Sequence, residues 1–66
     1  MHKVYVNVRY KDTTYEEFII ESSMDAVDVA SDFADHDNFI FVTEKGIVVY
    51  VNRASVSRVE FQNLKH

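Results

Sequence analysis

The sequence predicts an α+β domain of order β-β-α-β-β-β: an antiparallel sheet of four or five strands with one helix packed on one face. Three observations predict it. Only Ser22 to Asp37 (SSMDAVDVASDFADHD) carries apolar residues at helical spacing, while the stretches on either side alternate with a period of two. The one Gly of the chain, Gly46, falls between two runs of strand formers, where a tight hairpin loop needs it. The 66 residues contain no repeat, no linker-like composition and no Pro, so residues 1–66 read as a single domain.

The first strand is KVYVNVRY, residues 3–10, in which Val4, Val6, Val8 and Tyr10 alternate with Lys3, Tyr5, Asn7 and Arg9. A turn follows, then a second strand from Thr14 to Ile20. The length of the turn is fixed by what it pairs. A two-residue loop, Lys11-Asp12, sets Val6 opposite Glu17 and drives a carboxylate into the core. A three-residue loop, Lys11-Asp12-Thr13, sets Val6 opposite Phe18, Val4 opposite Ile20 and Tyr10 opposite Thr14. It also places Lys3 opposite Glu21 and Asn7 opposite Glu17 on the other face. Because a one-residue slip flips every side chain, agreement of burial and charge selects the second register.

Ser22 or Ser23 is expected to cap the helix, with Asp25 at the third position in the manner of a capping box. The helix then runs from Met24 to about Asp35, ending near His36, Asp37 or Asn38. It faces the sheet with Ala26, Val29, Ala30, Phe33 and Ala34, packing chiefly through Ala26, Ala30 and Phe33. Asn38 to Thr43 and Ile47 to Asn52 form a hairpin through Glu44-Lys45-Gly46, with Gly46 left-handed. Asn52 to Ser55 turns the chain, and Ser57 to Gln62 is the last strand. The expected core is Val4, Val6, Val8, Phe18, Ile20, Phe39, Phe41, Val49, Val51, Val59 and Phe61.

Both faces of the second hairpin are apolar. With Thr43 opposite Ile47, Phe39, Phe41, Val49 and Val51 share one face, and Ile40, Val42, Val48 and Tyr50 share the other. One Ala-rich helix covers one face only. The uncovered face, Ile40, Val42, Val48 and Tyr50 together with Tyr5, Tyr15 and Ile19, is then a self-association surface, most simply in a two-fold homodimer. The alternative is a sheet curled into a small barrel that buries both sets. Size favours association, since a chain this short buries only roughly 60% of its unfolded surface.

Composition removes several classes. A 47% hydrophobic content with nine Phe and Tyr residues excludes disorder. There is no Cys, hence no disulfide or thiolate metal site. Met1-His2-Lys3 leads straight into a strand, so no signal peptide is expected, and no run approaches the ~20 apolar residues of a membrane helix. Net charge of −4 argues against nucleic-acid or anionic-membrane binding. The expectation is a cytoplasmic protein.

The candidate partner-binding residues are Asp25, Asp28, Asp32 and Asp35, which gather on the helix face opposite the apolar stripe. They break local rules: Asp is a poor helix former, Asp28 and Asp32 repel at i,i+4, and Asp32 and Asp35 sit at the negative end of the dipole. The simplest account is a solvated face that aids solubility, partly paired with Arg53, Arg58 or Lys45. The functional account is a docking face for a basic patch of a protein partner. As a mimic of nucleic acid it is sparse, with about one charge per 5 Å of helix against one per ~1.7 Å of duplex.

Other chemistry has less support. Asp35-His36-Asp37 with Asp32 one turn back offers metal-ligand types, but adjacent residues rarely converge on one ion, and His36 suits the helix C-terminus. No metal or cofactor is expected. His2 and His66 are expected to fray. There is no Cys nucleophile, no Gly-rich phosphate loop and no nucleophile elbow, and Glu16 and Glu17 point to opposite faces of one strand. No enzyme is expected. The expected function is a small acidic protein–protein interaction module, a homodimer of the inhibitor or accessory kind met in bacteria and phage. Two alternatives stand beside it: a nucleic-acid-binding module using Lys3, Tyr5, Arg9 and Tyr15 on the outward face of the first hairpin, and a purely structural assembly subunit.

Overall fold

β1 (His2–Tyr10) runs between β2 (Tyr15–Ser22) and β5 (Val56–Asn63), antiparallel to both, in a three-stranded sheet. Its central place follows from its side chains, since Val4, Val6 and Val8 are fully buried on the inward face. The computed structural model describes residues 1–64; Lys65 and His66 lie outside the described residues. His2, expected to fray, is instead paired with Ser22 at the end of β1.

The first hairpin has the predicted register: Val4 pairs with Ile20, Val6 with Phe18, Asn7 with Glu17 and Lys3 with Glu21. Its loop is closed by the Tyr10 amide donating to the Thr14 carbonyl at 2.8 Å, with Thr13 in the left-handed region at φ +74°. The second hairpin, β3 (Asn38–Val42) with β4 (Val48–Asn52), is also as expected. Phe39 faces Val51, Phe41 faces Val49, and Gly46 stands at φ +80°.

The helix, α1 (Ala26–Ala34), is shorter than the spacing suggests. It does not begin at Met24 under a Ser cap. Asp25 is extended, and its carboxylate accepts the Asp28 amide at 3.0 Å, while Ser22 Oγ is spent on the Met24 amide. At the other end Arg53 donates to the Ala34 carbonyl. His36 Nδ1 lies 2.8 Å from the Asp32 carbonyl, so it carries the proton there. The helix has no basic residue in its own last turn, and these two groups satisfy its negative end from outside.

The strands do not form one sheet of four or five. They form a sheet of three, β2-β1-β5, and a sheet of two, β3-β4. α1 is inserted between β2 and β3, and among the described residues the one β-bridge between the sheets is Ile20–Thr43, beside which the Glu44 amide donates to the Ile19 carbonyl at 2.9 Å. The hairpin folds across the inward face of the larger sheet instead of extending it. Phe41 meets Phe18 at 5.3 Å and Phe61 at 6.4 Å between ring centroids. α1 closes the remaining side with Ala26, Val29 and Phe33 buried and Ala30 only half-buried. Of the expected core, Val4, Val6, Val8, Ile20, Phe41 and Val51 are buried, and Phe18, Phe39, Val49, Val59 and Phe61 pack partly buried around them. A 3₁₀ turn at Arg53–Ser55 leads into β5. Among the described residues, no helix is long and apolar enough to cross a membrane.

Candidate functional site

The folding-over of the hairpin buries one of its faces and leaves the other bare. Ile40 and Tyr50 pair across the strands, as do Val42 and Val48, and these four are 60%, 59%, 54% and 63% exposed. Curling of the strands therefore does not cover the second apolar set. Four large apolar side chains are thus exposed side by side in one contiguous patch.

The other three residues of the expected association surface lie on the outward face of β1 and β2. Tyr5 and Ile19 are half-buried and opposite one another, at the end of the sheet where Glu44 joins it. The Tyr5 hydroxyl donates to Glu17, and that carboxylate, as the main cause, holds the phenol above its ordinary pKa. Tyr15 starts β2 at the far end, roughly 15 Å away along the strand. Its ring lies under the Arg9 guanidinium, 5.9 Å from the centroid. The structure thus gathers four of the seven on the hairpin and places Tyr5 and Ile19 beside the corner, while Tyr15 belongs to a different neighbourhood.

On α1 the four aspartates differ. Asp25 is committed to the cap, and Asp32 is half-buried with an oxygen 3.7 Å from His36 Nδ1. Asp28 and Asp35 are exposed and have no ion pair among the described residues. Asp37 turns away towards Arg53, at 3.8 Å. Of the cations considered as partners for this face, Arg53 serves the end of the helix, and Arg58 pairs with Glu60 at 3.0 Å on β5. Among the described residues no group of three or more His, Asp or Glu side chains is arranged to hold a metal ion.

The outward face of the larger sheet is built in rows. Tyr15, Arg9 and Arg58 make one row across β2, β1 and β5, and Glu17, Asn7 and Glu60 make the next. Asn7 is 9% exposed, donates through Nδ2 to the Tyr5 hydroxyl at 3.2 Å, and leaves its buried Oδ1 without a partner among the described residues. Lys3, the fourth residue of the proposed nucleic-acid face, is drawn off to Glu44 at 3.4 Å.

Sequence reasoning missed a cleft at the Arg9 end of this face. It has a volume of about 270 Å³ and is lined by Arg9, Tyr10, Lys11, Thr13, Thr14 and Ser57. Ser57 reaches it through a bulge, because Arg9 pairs with Arg58 but Tyr10 pairs with Val56, which leaves Ser57 unopposed on β5. Two cations flanking the first turn were visible in the sequence, but the long-range register that brings Ser57 to them was not. No family model matches the chain, and no curated protein or solved structure is significantly similar to it.

Proposed function

We propose that this chain is a small acidic, non-enzymatic protein–protein interaction module that acts as a homodimer, joined through the outer face of the β3–β4 hairpin, with the aspartates of α1 presented to a basic patch on a protein partner. The observation that carries this reading is the bare apolar hairpin face of Ile40, Val42, Val48 and Tyr50. A two-stranded sheet is weak on its own, and covering its second face adds burial where the fold has least. Two-fold pairing is the simplest closed use of such a face. Asp28 and Asp35, exposed and free of ion pairs among the described residues, lie with Asp32 along about 10 Å of one helix side that a basic partner can meet.

Sedimentation equilibrium at micromolar concentration tests the first half. The expected mass is twice the 7.7 kDa of the chain, falling to the single value in Val48→Lys with the circular dichroism of the fold retained. A wild-type mass of one chain at full stability overturns the dimer, and a mass growing beyond two would favour the structural assembly subunit. Affinity capture from lysate with wild type and with Asp25, Asp28, Asp32 and Asp35 all changed to Asn tests the second half. Asn caps a helix as well as Asp does, so the variant loses charge and keeps structure. A partner held by wild type and lost by the variant supports the acidic face; identical captures reject it.

A further inference from the structure

The cleft at the Arg9 end of the larger sheet is lined by two cations and four hydroxyl-bearing residues and by no carboxylate, in a chain with 11 acidic residues against 7 basic ones. Neither Arg9 nor Lys11 forms an ion pair among the described residues. Arg9 also stands directly opposite Arg58, a like-charge cross-strand neighbour that works against the sheet unless an anion sits between or beside them. The fold does not relieve Arg9 with acid; it stacks the guanidinium over Tyr15, which leaves the N–H edge of the fork open. The nearest loop carboxylate, Asp12, is turned inward on its own turn, where it accepts the Thr14 amide and hydroxyl. Arg58 is held by Glu60 one row away.

Two backbone irregularities shape this same place. Thr13 is a β-branched residue in the left-handed region, an uncommon and strained conformation for its type. Ser57 is the extra residue of the β5 bulge, and its hydroxyl donates to the Arg9 carbonyl at 3.3 Å. With the Tyr10, Thr14 and Ser57 hydroxyl protons spent on Glu16, Asp12 and Arg9, the Thr13 hydroxyl is the neutral donor the cleft has left.

We infer that this cleft is an anion site that takes a terminal phosphate group, with Arg9 and Lys11 supplying the charge and the Thr13 hydroxyl a neutral hydrogen bond. A tetrahedral group bearing about two negative charges at neutral pH matches two convergent cations with no acid among them. A long polyanion is disfavoured by the acidic remainder of the surface, so the ligand is small, either free phosphate or a mononucleotide whose base lies on Tyr15.

The test is an amide NMR titration of the full chain with inorganic phosphate at neutral pH, exchanging chloride to hold ionic strength constant. A second arm uses a nucleoside 5′-monophosphate. Saturable shifts confined to residues 9–14 and 55–58 are expected, with affinity lowered about tenfold in Lys11→Gln. That substitution leaves the Lys11 amide on the Ser55 carbonyl, so the loop is kept. Tighter binding of the nucleotide with movement of the Tyr15 ring signals identifies a nucleotide. Equal binding identifies the phosphate group alone, and both support the site. Shifts that never saturate, that spread over the surface, or that are unchanged in Lys11→Gln overturn it.

Discussion

Phe33 of α1 stacks on Phe41 of β3, with ring centroids 5.9 Å apart and planes inclined by 23°. Phe39 and Phe61 also meet Phe33, at 5.6 and 5.9 Å, so one helical side chain joins the hairpin to the last strand. Because the two sheets share little backbone, this aromatic cluster is what holds them as one body. Phe33→Ala is expected to cost about 3–5 kcal/mol, which approaches the whole stability of a domain this small. Loss of a cooperative urea transition, with Phe33→Leu retaining one, is the outcome to look for.

The two three-residue loops respond oppositely to substitution. At Gly46 there is open space for a Cβ but the backbone is left-handed, so Gly46→Ala loses about 1 kcal/mol through conformation alone. At Thr13 the same conformation is held by a β-branched residue, and Thr13→Gly gains up to about 1 kcal/mol once the greater freedom of unfolded Gly is subtracted. Urea midpoints of the two variants should move in opposite directions.

Capping separates the aspartates of α1. Asp25→Ala should lose about 1 kcal/mol because the Asp28 amide loses its acceptor, and Asp25→Asn should lose almost nothing. Asp35→Asn should gain a few tenths of a kcal/mol by removing charge from the negative end of the helix. Chemical denaturation of the three variants checks all three signs.

Asn7 is a different case. Its buried Oδ1 is unpartnered among the described residues, and filling the same space with an apolar side chain removes the cost of that orphan acceptor. Asn7→Val is expected to stabilise by about 1 kcal/mol, although the Tyr5 hydroxyl loses one neighbour. A lower melting temperature in this variant would show that the amide is satisfied in solution.

Tyr10 sets the alkaline limit. Burial first, then its hydroxyl donating to Glu16 at 2.7 Å, pushes its phenol up to about 12. A raised phenol favours the neutral form in the folded state. Its contribution is fully present below the ordinary value near 10 and is lost as pH rises from there through about 12. Absorbance titration of the phenolates should show a latest-titrating Tyr, beyond the raised Tyr5, that disappears in Tyr10→Phe and titrates earlier in Glu16→Gln.

Local register was legible in the residues, and three-dimensional closure was not. Val6 could face only Phe18 or Glu17, and Thr43 could face only Ile47 if Gly46 took the left-handed position, so each hairpin determined itself. The helix start shifted because Ser22, Ser23 and Asp25 are all competent caps, and only the path of the chain decided that Asp25 reached the Asp28 amide. The division into two sheets turned on how far β3 follows β2 after the inserted helix, which residues 38–43 do not encode by themselves. The cleft escaped for a similar reason: Ser57 and Arg9 meet across a bulge between strands far apart in sequence. The apolar face of Ile40 and Val48 was visible, since two-sided hydrophobic strands demand either cover or exposure.

Asn63, at the end of β5, accepts the Ala26 amide at 2.8 Å, and Leu64 donates its amide to Lys3 at 2.9 Å. β1 meanwhile has Val8 paired with Val59. During synthesis, then, the central strand and the first turn of the helix both wait for residues made after everything else described here. A nascent chain stopped before β5 has an unpaired strand edge, an uncapped amide at Ala26 and Phe33 without Phe61. Such a chain gains little by collapsing early. Folding on the ribosome should be deferred until residue 64 has cleared the exit tunnel, and truncation by one strand should leave no partial fold.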